Sequence, residues 1–195
     1  MNTIVLEQSE MGDIPLDVYQ KLSNDRILFL TGMIDEEKAT DICATLLLKS
    51  HEDEEKKITL FINSGGGSIR DIFMIYDMMQ LIDAPIETVC IGEAGDEVAM
   101  LLTAGTPGMR LATKNSIIVV GQLEWKYHGM HANMVDAKKY MHMTEEDNRR
   151  YLEVIAQTTG KTLKQVSEDL DRRIFMNAPK ALKYGLIDKV VRFSK

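Results

Sequence analysis

Along most of the chain, short apolar runs alternate with stretches whose apolar residues recur every three to four positions. That alternation constrains the fold more than any other feature. Strands separated by helix-length segments pair in parallel, and the helices cross over the faces of the sheet. Arg26–Thr31 (RILFLT) is the first such run, bounded by Gly32. Asp35 is placed to cap a helix with Ala39, Ile42, Cys43, Leu46 and Leu47 at a 3.6-residue period. The charged run His51–Lys57 (HEDEEKK) reads as a solvated loop. Lys57–Ile62 is a second strand, and Asn63–Gly67 (NSGGG) punctuates it. Ser68 opens a helix carrying Ile72, Ile75, Tyr76, Met79 and Ile82, and Pro85 ends that connection. Ile86–Ile91 is a third strand, Gly92 leads into a helix near Gly95–Ala104, and short strands follow at Arg110–Ala112 and Ser116–Val120.

The pattern from Met130 to Ala156 is one long helix. Met134, Ala137, Tyr140, Met141, Tyr151, Leu152 and Ile155 fall near one face, and Lys138, Lys139, Glu145, Glu146 and Arg149 fall elsewhere. It exceeds the mean globular helix of about 11–12 residues, so its far half is expected to project. Gly160 breaks it. Leu163–Leu170 and Ala178–Tyr184 are shorter helices, Gly185 suits the residue just past a helix end, and Ile187–Val191 is a closing strand. Residues 1–25 are polar and weakly patterned. With no internal repeat or linker, one domain over residues 1–195 is expected.

Composition narrows the function classes. Thirty acidic against 23 basic residues leave a net charge of −7. That argues against a nucleic-acid surface and against docking on an anionic membrane. No apolar run reaches the ~18–20 residues of a membrane span. The start MNTIVLEQSE has neither the basic nor the apolar region of a secretory signal. Cys43 and Cys90 each sit in an apolar stretch and read as buried thiols, not as a disulfide framework. The expected location is therefore cytoplasmic, or an organelle stroma or matrix if a transit peptide was removed. The 13 methionines are expected to fill core gaps, with some at interfaces.

Several segments resemble the proteolytic subunit of the Clp protease, ClpP, in order and at near-constant spacing. IVLEQSEMGD and RILFLTG match the family's opening. NSGGG followed by IYDMMQ is similar to its NSPGG…IYDTMQ pattern. GEAGDEVAMLLTAG is similar to GQAASMGAFLLTAG, which holds the family's nucleophile, and NAPKALKYGLID to SAPEAVEYGLVD. The resemblance implies a crotonase-like α/β fold of repeated β-β-α and βαβ units, with a protruding handle at about residues 124–160. It also implies seven-membered rings that stack face to face through the handles, giving a heptamer or tetradecamer. A hexameric AAA+ Clp unfoldase would feed the enclosed chamber.

The resemblance also places the family's catalytic Ser, His and Asp on Asp96, Gly121 and Arg173. A serine peptidase needs a hydroxyl nucleophile, a base beside it and a group orienting that base, and none of these residues supplies one. The family's oxyanion-hole N–H groups fall on Gly66 and Glu97, and the proline of its glycine turn is Gly65. Two carboxylates at Asp96 and Glu97 oppose the developing negative charge. His51 lies in the charged run and His142 far along the long helix, while His128 and His131 are nearest in sequence and read as turn or interface residues. Ser64 and Ser68 flank the glycine turn and suit turn and cap chemistry. An arginine is long enough to cross the gap at Gly121, so Arg173 is expected to pair with Asp96 or Glu97.

The reading is a non-catalytic ClpP-like subunit, of the type called ClpR, in a homomeric ring or beside catalytic ClpP. Two enzymes are the alternatives: a crotonase-fold acyl-CoA hydratase or isomerase using Asp96 and Glu97, and an active Clp serine endopeptidase. No cofactor or metal is expected. Thr59, Phe61 and Leu81 match the family's docking positions for a hydrophobic unfoldase loop, with Thr59 replacing an aromatic.

Overall fold

The computed structural model describes residues 4–9, 12–123 and 133–191. The first residues form an antiparallel ribbon, β1 (Ile4–Ser9) with β2 (Gly12–Asp17), which runs straight into α1 (Val18–Asn24). The weak pattern of residues 1–25 thus conceals three elements. Asp17 starts the helix by accepting a hydrogen bond from the Tyr19 N–H at 2.8 Å, and the Gln20 side chain accepts from the Asp17 N–H in return.

A seven-stranded sheet follows. Its strands are β3 (Ile27–Thr31), β4 (Ile58–Ser64), β5 (Ile86–Ala94), β6 (Arg110–Thr113), β7 (Ile117–Val120), β8 (Ile174–Asn177) and β9 (Lys189–Val191). The main order is β3-β4-β5-β6-β9, all parallel. The helices between them are α2 (Glu36–Glu52), α3 (Ile69–Leu81), α4 (Val98–Thr103), α5 (Met134–Thr159), α6 (Leu163–Asp169) and α7 (Ala178–Tyr184). This is the mixed α/β architecture expected of the alternating pattern.

β5 is the strand that organises the site. Its first half pairs with β6, whereas Glu93 and Ala94 pair with Ile117 and Ile118 of β7. That second partner carries β5 past the expected end at Ile91. β7 pairs antiparallel with β8, a strand too short to show a period in sequence.

α2 extends two residues into the charged run. The reason lies in Arg26, which is only 4% exposed and has a left-handed backbone (φ 64°). Its guanidinium donates to the carbonyls of Lys49 (2.5 Å), Asp53 (2.9 Å), Lys56 (2.7 Å) and Lys57 (3.2 Å). The guanidinium thereby ties the last turn of α2, where the Lys49 carbonyl also accepts from the Asp53 N–H at 3.3 Å, to the loop that follows. Asp35 caps the other end, accepting from the Lys38 N–H at 3.0 Å.

The core lies between the sheet and α2, α3 and α4. Leu60, Ile62, Ile72, Ile75, Met100 and Leu101 have no exposed surface, and all six residues of α4 are buried. Along β4 the buried residues Ile58, Leu60 and Ile62 alternate with Thr59 and Phe61, which face the other way. There Phe61 stacks on Phe29 at 5.1 Å, and Tyr19 of α1 meets Phe29 edge-on at 5.8 Å.

α5 begins at Met134, with the Asn133 side chain accepting from Val135 and Asp136 N–H groups, and runs to Thr159. The expected start at Met130 lies outside the described residues. Gly160 ends the helix in a left-handed conformation (φ 69°), as its composition predicts. Every buried residue of α5 is at Asp147 or beyond, while Met134, Val135, Met141 and Met143 of the first half are exposed. That half stands off the body of the protein.

Candidate functional site

Two turns meet at the C-terminal ends of β4 and β5. Residues 64–67 form the first, and Gly95, Asp96 and Glu97 form the second. The Gly95 N–H donates to the Ser64 carbonyl at 2.9 Å. A Cβ on Gly95 would lie 2.9 Å from both the Cα and the carbonyl oxygen of Gly65. The two backbones therefore touch directly, which only glycine permits at this position.

Asp96 sits at the apex of the second turn with φ 47°, one of two non-glycine residues with positive φ among those described. Asp tolerates this conformation better than most residues. A sharp strand-to-helix turn of this kind lifts its apical side chain clear of the sheet, the geometry that elsewhere presents a nucleophile. Here the Asp96 Oδ1 accepts from the Arg173 Nε at 2.9 Å.

The β7–β8 pairing explains how Arg173 comes to be there. Val120 is opposite Ile174, so the next residue outward on each strand is Gly121 and Arg173. A Cβ on Gly121 would lie 3.2 Å from the Arg173 Cα and 3.4–3.5 Å from its Cβ and Cγ. The structure thus brings Asp96, Gly121 and Arg173 together, and Arg173 pairs with Asp96 as expected. The pair is half open to solvent, with side-chain exposures of 24% and 40%. A pair so exposed contributes at most about 1 kcal/mol.

Glu97 is different. It is buried, at the start of α4, and its Oε2 lies 3.3 Å from where a Gly66 Cβ would be. Gly66, the expected oxyanion-hole position, has its N–H engaged within the turn. That N–H is directed at the Ser64 Oγ (3.3 Å), which itself donates to the Gly66 carbonyl (3.1 Å). Ser64 acts in the turn, as its position suggests. Ser68 occupies the N-cap of α3, but its side chain makes no cap hydrogen bond.

One site residue was hidden in the sequence. Tyr151 of α5 is fully buried, and its hydroxyl donates to the Asp96 carbonyl at 3.3 Å. Burial, and then the Glu97 and Asp96 charges, push its pKa well above the ordinary phenol value, partly offset by a hydrogen bond from the Gly121 backbone. It is a neutral donor beneath all of these residues. The signal in the sequence was a tyrosine amid an otherwise aliphatic buried stripe, since a buried Tyr needs a partner for its hydroxyl. One turn earlier, buried Asp147 bonds Arg70 of α3 at 2.8 Å, so α5 is tied to both flanks of the site.

The other candidates lie apart. His51 is exposed at the end of α2 and His142 is exposed on α5; His128 and His131 fall outside the described residues. Cys43 and Cys90 are buried free thiols, and burial pushes Cys90 up to about 11, so neither is a thiolate at neutral pH. Thr59 and Phe61 share one face of β4, where the Thr59 hydroxyl donates to Glu87 at 3.3 Å. Leu81 is 73% exposed at the end of α3 and borders a groove lined by Met74, Phe73 and Val154. Alternation along β4 turns Thr59 and Phe61 away from the face that α3 covers.

A mostly parallel α/β sheet with a strand-to-helix turn pressed against a glycine turn places the candidate site at the strand ends. The family model described as Clp protease matches residues 10–194. The chain belongs to the Clp protease family and is a ClpP-like subunit.

Proposed function

We propose that this chain is a non-catalytic ClpP-like subunit that contributes ring wall and unfoldase-docking surface to a Clp protease complex. The observation that carries the reading is the Asp96–Arg173 ion pair with Gly121 beside it. A carboxylate held by a guanidinium is a poor nucleophile, and glycine offers no base to activate anything else. The Glu97 carboxyl beside Gly66 disfavours a negative charge developing there, so the half of catalysis that an oxyanion hole supplies is opposed as well.

Assembly is supported by the exposed apolar first half of α5, which fits the ring-to-ring handle of the family. The three docking candidates fit it too. Thr59 and Phe61 face one way and Leu81 another, so a pocket using all three takes Leu81 from the neighbouring subunit. The ring is homomeric or shared with catalytic ClpP, in the cytoplasm or an organelle stroma or matrix, where buried reduced Cys43 and Cys90 are at home.

The test is hydrolysis of fluorogenic peptides by the purified chain, alone and co-expressed with a catalytic paralogue, with native mass spectrometry of both samples. The chain alone should show no turnover, and the masses should correspond to rings. Cleavage by the chain alone that a serine-directed phosphonate abolishes would overturn the reading.

A further inference from the structure

Lack of a nucleophile prevents turnover, yet it does not prevent a peptide from binding. The contacts around the two turns bear on that second question. Arg173 runs past Gly121, so close that a Cβ there would meet its Cα at 3.2 Å, and ends on Asp96. The Glu97 carboxylate fills the space beside Gly66. The Gly66 N–H is directed into its own turn, at the Ser64 hydroxyl. Tyr151 holds the Asp96 carbonyl from below.

We infer that the site is self-occupied: Arg173, Glu97 and Ser64 take up the room and the donors that an acyl ligand would need, so the chain excludes peptides as well as failing to cleave them. The inference rests on the non-catalytic reading and adds a separate cause. Each contact acts on a different requirement of the ligand. Arg173 occupies volume between residues 96 and 121. Glu97 places a buried carboxyl beside Gly66, with Oε2 3.3 Å from where a Cβ would be, and its ionised form would repel a tetrahedral oxyanion formed there. Ser64 competes for the backbone donor at Gly66. The Arg173 charge does not recruit an anion in their place, because Asp96 already neutralises it.

The probe is a phosphinic peptide, which copies the shape and charge of a tetrahedral intermediate and needs no nucleophile to bind. It is titrated by calorimetry into the full chain, into Arg173→Ala, into Glu97→Gln and into the double variant, with circular dichroism to verify folding. The wild type should give no saturable heat at millimolar probe. The double variant should bind tighter by about tenfold or more. If the double variant does not fold, Arg173→Gly alone should shift binding in the same direction. Wild-type binding as tight as that of the variant overturns the inference. So does weaker binding on removing Arg173, which would make it an anchor, and so does absence of binding by the folded double variant. Peptide cleavage by the wild type would instead defeat the non-catalytic reading, so the two failures are distinguishable.

Discussion

Replacing Arg26 with methionine keeps most of the side-chain length and removes every guanidinium donor. Four carbonyls lose a partner: Lys49 at the last turn of α2, and Asp53, Lys56 and Lys57 along the loop to β4. The loop residues are exposed, so water replaces much of what their carbonyls lose. The Lys49 carbonyl is buried but keeps the Asp53 N–H at 3.3 Å, so what it loses is one hydrogen bond to a charged donor, about 1.5–3 kcal/mol. The left-handed backbone at residue 26 is as strained with Met as with Arg, so it adds nothing to the difference while that conformation is kept. Relief of the buried charge offsets part of the loss. The net expectation is a destabilisation of about 2 kcal/mol, which for a chain of this size lowers Tm by about 4–8 °C. Thermal unfolding followed by far-ultraviolet circular dichroism measures it directly. Arg26→Lys should fall between, since one ammonium cannot reach four carbonyls spread along a loop. An Arg26→Met variant within about 1 kcal/mol of wild type would show that the carbonyl network does not hold α2 to the sheet edge.

Gly121→Ala should cost about 1–2 kcal/mol by urea denaturation, because the new Cβ meets backbone at Arg173 as well as side chain; Arg173→Gly should recover part of it. Additive losses in the double variant would refute that contact. Asp188 predicts an acid effect. Its carboxyl is held below the usual range, first by the Arg110 side chain and then by the backbone N–H groups of Arg110 and Gly108. A lowered folded pKa means that stability present above the unfolded value of about 3.9 is lost as pH falls through the folded one. Asp188→Asn should therefore reduce stability near neutrality and flatten its fall below about pH 4; an unchanged acid limb would contradict this.

Periodicity exposed what is long and packed: α2, α3, α5 and the central strands follow from apolar spacing, and Asp35, Gly160 and Gly185 mark ends where the chain does change direction. Elements fixed by pairing were invisible. β8 has four residues and exists because β7 lies beside it, and the end of β5 depends on the same neighbour. α1 did carry a signal, the Asp17 and Gln20 spacing of a capping box. At the site, the family resemblance placed Asp96, Gly121 and Arg173 together, and reach and charge then pointed to a contact of Arg173 with Asp96 or Glu97, of which Asp96 is the one found. Tyr151 was not legible, because a helix face reports burial but not what its hydroxyl touches. The Ser64–Gly66 hydrogen bond depends on backbone direction within the turn, which residue types leave open.

The contact between Gly95 and Gly65 passes through no side chain. The distance between the two turns is therefore set by main chain alone, like a machined step against which other parts are fitted. Residues 121 and 173 lie outside both turns, so their identity can change without altering that step. Side chains around such a step are free to differ while the scaffold stays in register.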